Sequence, residues 1–141
     1  AIGQGMTTFA TSKAENARLF EDLMAQSGQV KQLPENLMDA ATAIAGCGPA
    51  FIYELIEAMT AAGIQNGLTA QVAQDLASQT VLGAAQMVLE SDQHPAQLRD
   101  QVTSPGGSTI AGLVALTQAG FQAATIQGVN QALERTKELG Q

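Results

Sequence analysis

One cysteine, one histidine and no tryptophan stand among the 141 residues, and each scarcity closes off a chemistry. A lone Cys47 allows no intrachain disulfide, and with only His94 beside it no soft-ligand set exists for zinc. A reducing, cytoplasmic setting is the expectation. Basic residues are also few, 6 Lys and Arg against 13 Asp and Glu, for a net charge of -7. No Lys/Arg cluster is available to neutralise phosphates, so neither nucleic acid nor an anionic membrane is expected as a partner. No apolar run reaches about 18 residues and no basic-then-apolar leader opens the chain, so neither a spanning helix nor a secretory signal is expected. Aromatics make up only 4%, which disfavours a β-sandwich. Abundant Ala and Gln favour helices packed through small side chains, and a mostly helical single-domain-sized chain follows.

Residues 1–10 lack a helical stripe and read as extended. Gly3, Gly5 and Asp22 superficially resemble a dinucleotide fingerprint. Thr8 replaces the third glycine, no strand precedes the first, and the acid arrives too early. Ser12 and Glu15 have capping-box spacing ahead of Leu19, Phe20, Leu23 and Met24, which predicts a helix over about 13–26 ended by Gly28. Residues 29–33 alternate like a short strand, and Pro34 marks a boundary to alanine-rich helices.

A helix from Pro34 is expected to turn Leu37, Met38, Ala41 and Ile44 to a core, then to kink at A-G-C-G-P-A-F, residues 45–51. The next carries Ile52, Leu55, Ile56 and Met59 and ends near Gly63 to Gly67. Thr69 then caps a helix to about Ser91 with Val72, Leu76, Gln79, Thr80, Gly83 and Met87 on one face. Glycine inside a helix costs roughly 1 kcal/mol against alanine. Gly83, with Ala73, Ala77 and Ala84, therefore predicts the close approach of another backbone, from this chain or a second subunit. Pro95 opens a short helix, and Gly120 separates two more, the last carrying Phe121, Ile126, Val129 and Leu133.

The most unusual stretch is D-Q-V-T-S-P-G-G-S-T-I-A-G-L, residues 100–113. Pro105 presets a helical φ, and Gly106 and Gly107 permit φ > 0. Ile110, Leu113 and Leu116 then mark one apolar helical face. The turn would present unpaired N–H groups at a helix N-terminus, which attracts a carboxylate or phosphate. An ordinary turn capping a helix is the alternative. Little else offers chemistry. His94 beside Pro95 reads as an N-cap or surface residue. Cys47, with no basic or histidine neighbour to activate a thiolate, reads as packing. Glu54 and Glu57 read as a solvated edge.

Those fourteen residues, with A-G-C-G-P-A-F and the H-P-A-Q-L lead-in at 94–98, closely resemble the C-terminal part of the pyrroline-5-carboxylate reductase family, which makes proline. The resemblance runs through almost the whole chain. It implies an all-α dimerisation domain of the 6-phosphogluconate-dehydrogenase C-terminal type, preceded by a short strand-helix-strand remnant of a Rossmann domain. Residues 1–33 would be that remnant, and 34–141 the helical dimerisation and substrate-binding domain. It further implies an interlocked homodimer, with higher assembly in some members, and NADP or NAD held mainly by an N-terminal domain absent here. The chain then looks like a fragment, inactive alone. Its opening segment is expected to be displaced, swapped, or paired with another copy.

By the same resemblance, Ser104, Gly106, Gly107, Ser108 and Thr109 would hold the carboxylate of the cyclic imine while a nicotinamide delivers hydride to the C=N carbon. Thr109 would be the catalytic hydroxyl, hydrogen-bonded to the ring nitrogen. The competing expectations are a non-catalytic helical assembly module and a related imine or hydroxy-acid dehydrogenase.

Overall fold

The computed structural model describes residues 2–140. β1 (Gly5–Phe9), α1 (Ala14–Met24) and β2 (Gly28–Gln32) form a strand-helix-strand unit whose strands pair in parallel, Gly5 opposite Gly28 and Phe9 opposite Gln32. Space requires glycine here. A Cβ on Gly28 would collide with the backbone of Gly5, and Gly28 itself sits at φ +133, where side chains are strained. The opening segment is therefore not displaced; it pairs with β2 of its own chain. The Phe9 and Phe20 rings stack at 4.7 Å, and Ala17 is buried on α1.

The Ser12–Glu15 capping box does not form. Lys13 is the N-cap of α1 without a side-chain bond, and Thr11 Oγ1 instead accepts from the Lys13 N–H at 3.2 Å. The helix also ends earlier than Gly28. The Ser27 hydroxyl and N–H both donate to the Met24 carbonyl, at 2.7 and 2.8 Å, and close the last turn there.

Beyond Pro34 the winding changes three times before a regular helix is established. A 3₁₀ turn (Glu35–Leu37) leads into α2 (Met38–Ala41), then a π turn (Thr42–Gly46), then α3 (Gly48–Gln65). The widened turn is closed by Cys47 N–H donating to the Thr42 carbonyl at 3.1 Å. Each change of pitch rotates the side chains, so the expected core face holds only in part, with Met38 and Ala41 half-buried. Ala43 is the fully buried residue, while Ile44 is 61% exposed and Leu37 is exposed as well.

The chain divides into two compact units, Ala1–Ala50 with Thr125–Gln141, and Phe51–Ala124. The second holds most of α3, then α4 (Ala70–Glu90), α5 (Pro95–Gln101), α6 (Ser108–Gln118) and the start of α7 (Phe121–Leu139). Its element ends follow the expected signals. Thr69 caps α4 by accepting from Val72 N–H at 3.4 Å, Pro95 stands at the first position of α5, and Gly120 takes φ +77 between α6 and α7. Gly63 permits the α3–α4 approach, since a Cβ there would lie 2.9 Å from that of Ala73.

Packing within this unit is sparse. On α4 only Ala73 and Ala77 are buried, and the face carrying Val72, Leu76, Gln79, Thr80 and Met87 is open. No atom lies within 4 Å of a Cβ built on Gly83, so the close crossing expected there is not made inside the described chain. The exposed area is 10703 Å². Even two separate compact bodies of half the mass would together expose about 8,300 Å². Large apolar side chains such as Ile52, Leu82, Leu116 and Phe121 are among the residues left exposed.

Candidate substrate-binding loop

α5 and α6 are joined by Val102 to Gly107, and the two glycines serve different ends. Gly106 adopts φ +68, the left-handed region that favours glycine. Gly107 has φ -79 and ψ 174, an ordinary extended geometry, so only Gly106 uses the conformational freedom expected of both. Gly107 is needed for space instead. A Cβ on it would collide with the Ser104 hydroxyl, which occupies the notch beside it, and would lie 3.3 Å from the Ser104 carbonyl. That carbonyl accepts from the Gly107 N–H at 3.1 Å and closes the turn.

Gly107 is the N-cap of α6 and brings no side chain, so no side chain caps this helix. The first backbone bond at this end joins Ala111 N–H to the Gly107 carbonyl at 3.4 Å. The N–H groups of Ser108, Thr109 and Ile110 therefore have no acceptor among the described residues, at the positive end of the helix dipole. The Ser108 and Thr109 side chains are exposed, and neither hydroxyl bonds to another group among the described residues. Ser104, Gly106, Gly107, Ser108 and Thr109 thus come together in one turn. Such a cradle binds a carboxylate through N–H and O–H donors with no basic side chain, and bonds to a charged acceptor are roughly twice as strong as neutral ones.

A cleft of 360 Å³ opens between α5 and α6, lined in part by Thr103, Ile110, Leu113 and Val114. It places apolar surface at both chain ends of the loop. Another cavity, of 560 Å³, lies beside Ala10 to Ser12 and Gln32 to Glu35 in the first unit and includes none of the expected site residues. Cys47 is half-buried, and Glu54 and Glu57 are exposed. His94 caps α5, accepting from Ala96 N–H through Nδ1 at 3.2 Å.

A dinucleotide does not fit the residues present. Gly3 and Gly5 precede or open β1, whereas a phosphate-binding glycine turn must follow a strand and open a helix. The turn that does join β1 to α1 is Ala10 to Lys13, with no glycine.

The family described as pyrroline-5-carboxylate reductase dimerisation matches residues 35–139. This chain belongs to that family. The pyrroline-5-carboxylate reductase of Synechocystis sp. is 44% identical over 99% of this chain and 53% of its own length. The solved pyrroline-5-carboxylate reductase of Coxiella burnetii superposes with a TM-score of 0.93 at 37% identity, covering 98% of this chain and 53% of that one. That of Plasmodium falciparum, solved with NADP bound, gives 0.86 at 35% identity, over 95% and 56%. The chain spans about half the length of these relatives. The mostly helical architecture with a short N-terminal strand pair matches the pyrroline-5-carboxylate reductase structures. Among the described residues no single helix is long and apolar enough to cross a membrane.

Within this member of the dimerisation family, two features of the loop and its lead-in helix are not anticipated by the sequence reading. One is the steric role of Gly107, for which no sequence signal exists. The other is Gln97, whose Oε1 accepts from the His94 N–H at 2.9 Å and completes a capping box. Its signal was present, as a glutamine three residues after a cap.

Proposed function

We propose that residues 34–141 are the dimerisation and substrate-binding domain of a pyrroline-5-carboxylate reductase, of the 6-phosphogluconate-dehydrogenase C-terminal type. Residues 1–33 are then the closing strand, helix and strand of its nucleotide-binding domain. The family match beginning at residue 35 and the parallel β1–β2 pair support this division. The complete, cytoplasmic protein reduces 1-pyrroline-5-carboxylate to L-proline with NADPH or NADH, and the fragment alone is inactive.

The observation that carries the reading is the uncapped start of α6 beside the Ser104 hydroxyl. Backbone N–H groups of Ser108 and Thr109 and the Ser104 hydroxyl take the substrate carboxylate, while Gly106 and Gly107 keep the cradle open. This fixes the ring. The Thr109 hydroxyl then bonds the ring nitrogen, which gains a proton as the C=N carbon is reduced. A threonine hydroxyl is too weak an acid to give up its proton unaided, so Thr109 passes it on from water.

The active form is a homodimer. An excess of about 2,400 Å² over compact bodies of this size matches what one subunit of an obligate dimer buries. Light scattering will give twice the chain mass, and the thermal midpoint will rise by about 2 °C per tenfold increase in concentration. A monomer with a concentration-independent midpoint contradicts the dimer.

A further inference from the structure

Asn66 and Gly67 stand at the joint between α3 and α4, the one place in the sequence where a glycine follows an asparagine. Asn16, Asn36 and Asn130 are followed by Ala17, Leu37 and Gln131. The difference is chemical. A backbone nitrogen can attack the side-chain carbonyl carbon of the asparagine before it and close a five-membered ring, and a glycine, with no Cβ, leaves that approach open.

In this pair, hydroxide takes the proton of the Gly67 N–H and the nitrogen bonds to Asn66 Cγ. The Cγ–Nδ2 bond breaks, and Nδ2 leaves as ammonia with a proton from water. Water then opens the cyclic imide at either carbonyl, giving aspartate or isoaspartate. One water is consumed, one ammonia is released, and nothing is oxidised or reduced.

In the folded chain both reacting groups are engaged elsewhere. Asn66 Nδ2 donates to the Ala62 carbonyl at 2.8 Å, which draws the carboxamide back along α3. The Gly67 N–H donates to the Ile64 carbonyl at 3.0 Å, and the Leu68 N–H to the Gly63 carbonyl at 3.1 Å. With Gly67 at φ +95, these two bonds form the closure that ends many helices on a left-handed glycine. Both residues are nonetheless exposed, at a helix end, where chains open at the least cost.

We propose that Asn66 is a deamidation site gated by this closure: the closed turn keeps the nitrogen and the carboxamide occupied, and each opening of the last turn of α3 frees both. The product does not restore the gate. Aspartate lacks the donor to Ala62 and sets a negative charge at the negative end of the α3 dipole, so the turn that leads into the Gly63–Ala73 approach is loosened.

The test incubates the 141-residue chain at about pH 8, folded and in urea, and follows the Asn66 peptide by mass spectrometry, with hydrogen exchange of the Gly67 and Leu68 amides measured on the folded sample. Deamidation is expected in both, at least about tenfold slower in the folded chain and slowed by the same factor as the two amides, because one opening serves all three reactions. Asn16, Asn36 and Asn130 should stay unmodified over the same period. Equal rates folded and in urea, a slowing unrelated to that of the two amides, or an Asn66 left intact in urea each overturn the gated site. Asn66→Asp should exchange the Gly67 and Leu68 amides about threefold faster than the parent, as expected for a like charge at the end of a helix dipole. Exchange no faster than the parent's overturns the loosening.

Discussion

Replacing Thr109 with valine in the complete reductase will lower kcat about 100-fold, the loss typical of one positioned proton-transfer or charge-stabilising group. Valine keeps the shape and β-branching of threonine and its backbone N–H, and deletes only the hydroxyl. That hydroxyl is exposed and makes no bond among the described residues, so stability is not at stake. KM should change little, because in the proposed seat the carboxylate rests on N–H groups that the substitution leaves in place. Stopped-flow reduction and a thermal melt on the same sample separate the two effects. Turnover within threefold of the parent would remove Thr109 from the chemistry.

Gly107→Ala is expected to act in the opposite way, raising KM by tenfold or more with a smaller effect on kcat. The backbone at Gly107 is acceptable to alanine, so the harm is steric: the new methyl takes the place of the Ser104 hydroxyl. Gly106 provides the contrast. At φ +68 it penalises alanine through the backbone by about 1–2 kcal/mol, whereas asparagine visits this region more readily. Gly106→Asn should therefore retain more activity than Gly106→Ala. No such recovery is expected for Gly107→Asn, whose larger side chain collides at the same point. Steady-state kinetics of the four variants decides the matter, and equal behaviour of asparagine at both positions would contradict the assignment of roles.

In the second unit, where helices begin and end was legible because the signals are local. Thr69 before a periodic run, Pro95 after a turn and Gly120 between two apolar stripes each act on their own few residues. The faces of the helices were less legible. Leu76 and Met87 carry the stripe of α4, yet Ala73 and Ala77 are what this chain buries. A periodic stripe says that a surface will be covered, not whether the covering belongs to the same chain. Residues 35–47 failed for a different reason. No fixed 3.6-residue period holds over a segment that changes from 3₁₀ to α to π winding.

The loop divides along the same line. Its glycines, its hydroxyls and its place at the start of α6 could be read from composition and spacing. Ser104 reaching back into the notch at Gly107 could not, since it depends on the turn's three-dimensional closure. The cyclic-imine reading came from the order of three motifs that together resemble one family, which the comparisons bear out at the level of the family. The glycine in α4 was legible, but what it serves was not: nothing outside its own helix lies beside Gly83 among the described residues.

Most directly, the carboxylate seat is tested by following the Ser108 and Thr109 amides of the complete protein while adding L-proline or, in parallel, L-prolinamide. The two ligands share a ring and differ in the group the loop is held to recognise. Saturable shifts at Ser108 and Thr109 with proline, absent or at least tenfold weaker in affinity with prolinamide, are the predicted result. Equal responses to both ligands, or a proline response confined to other residues, would show that the turn at α6 only starts a helix.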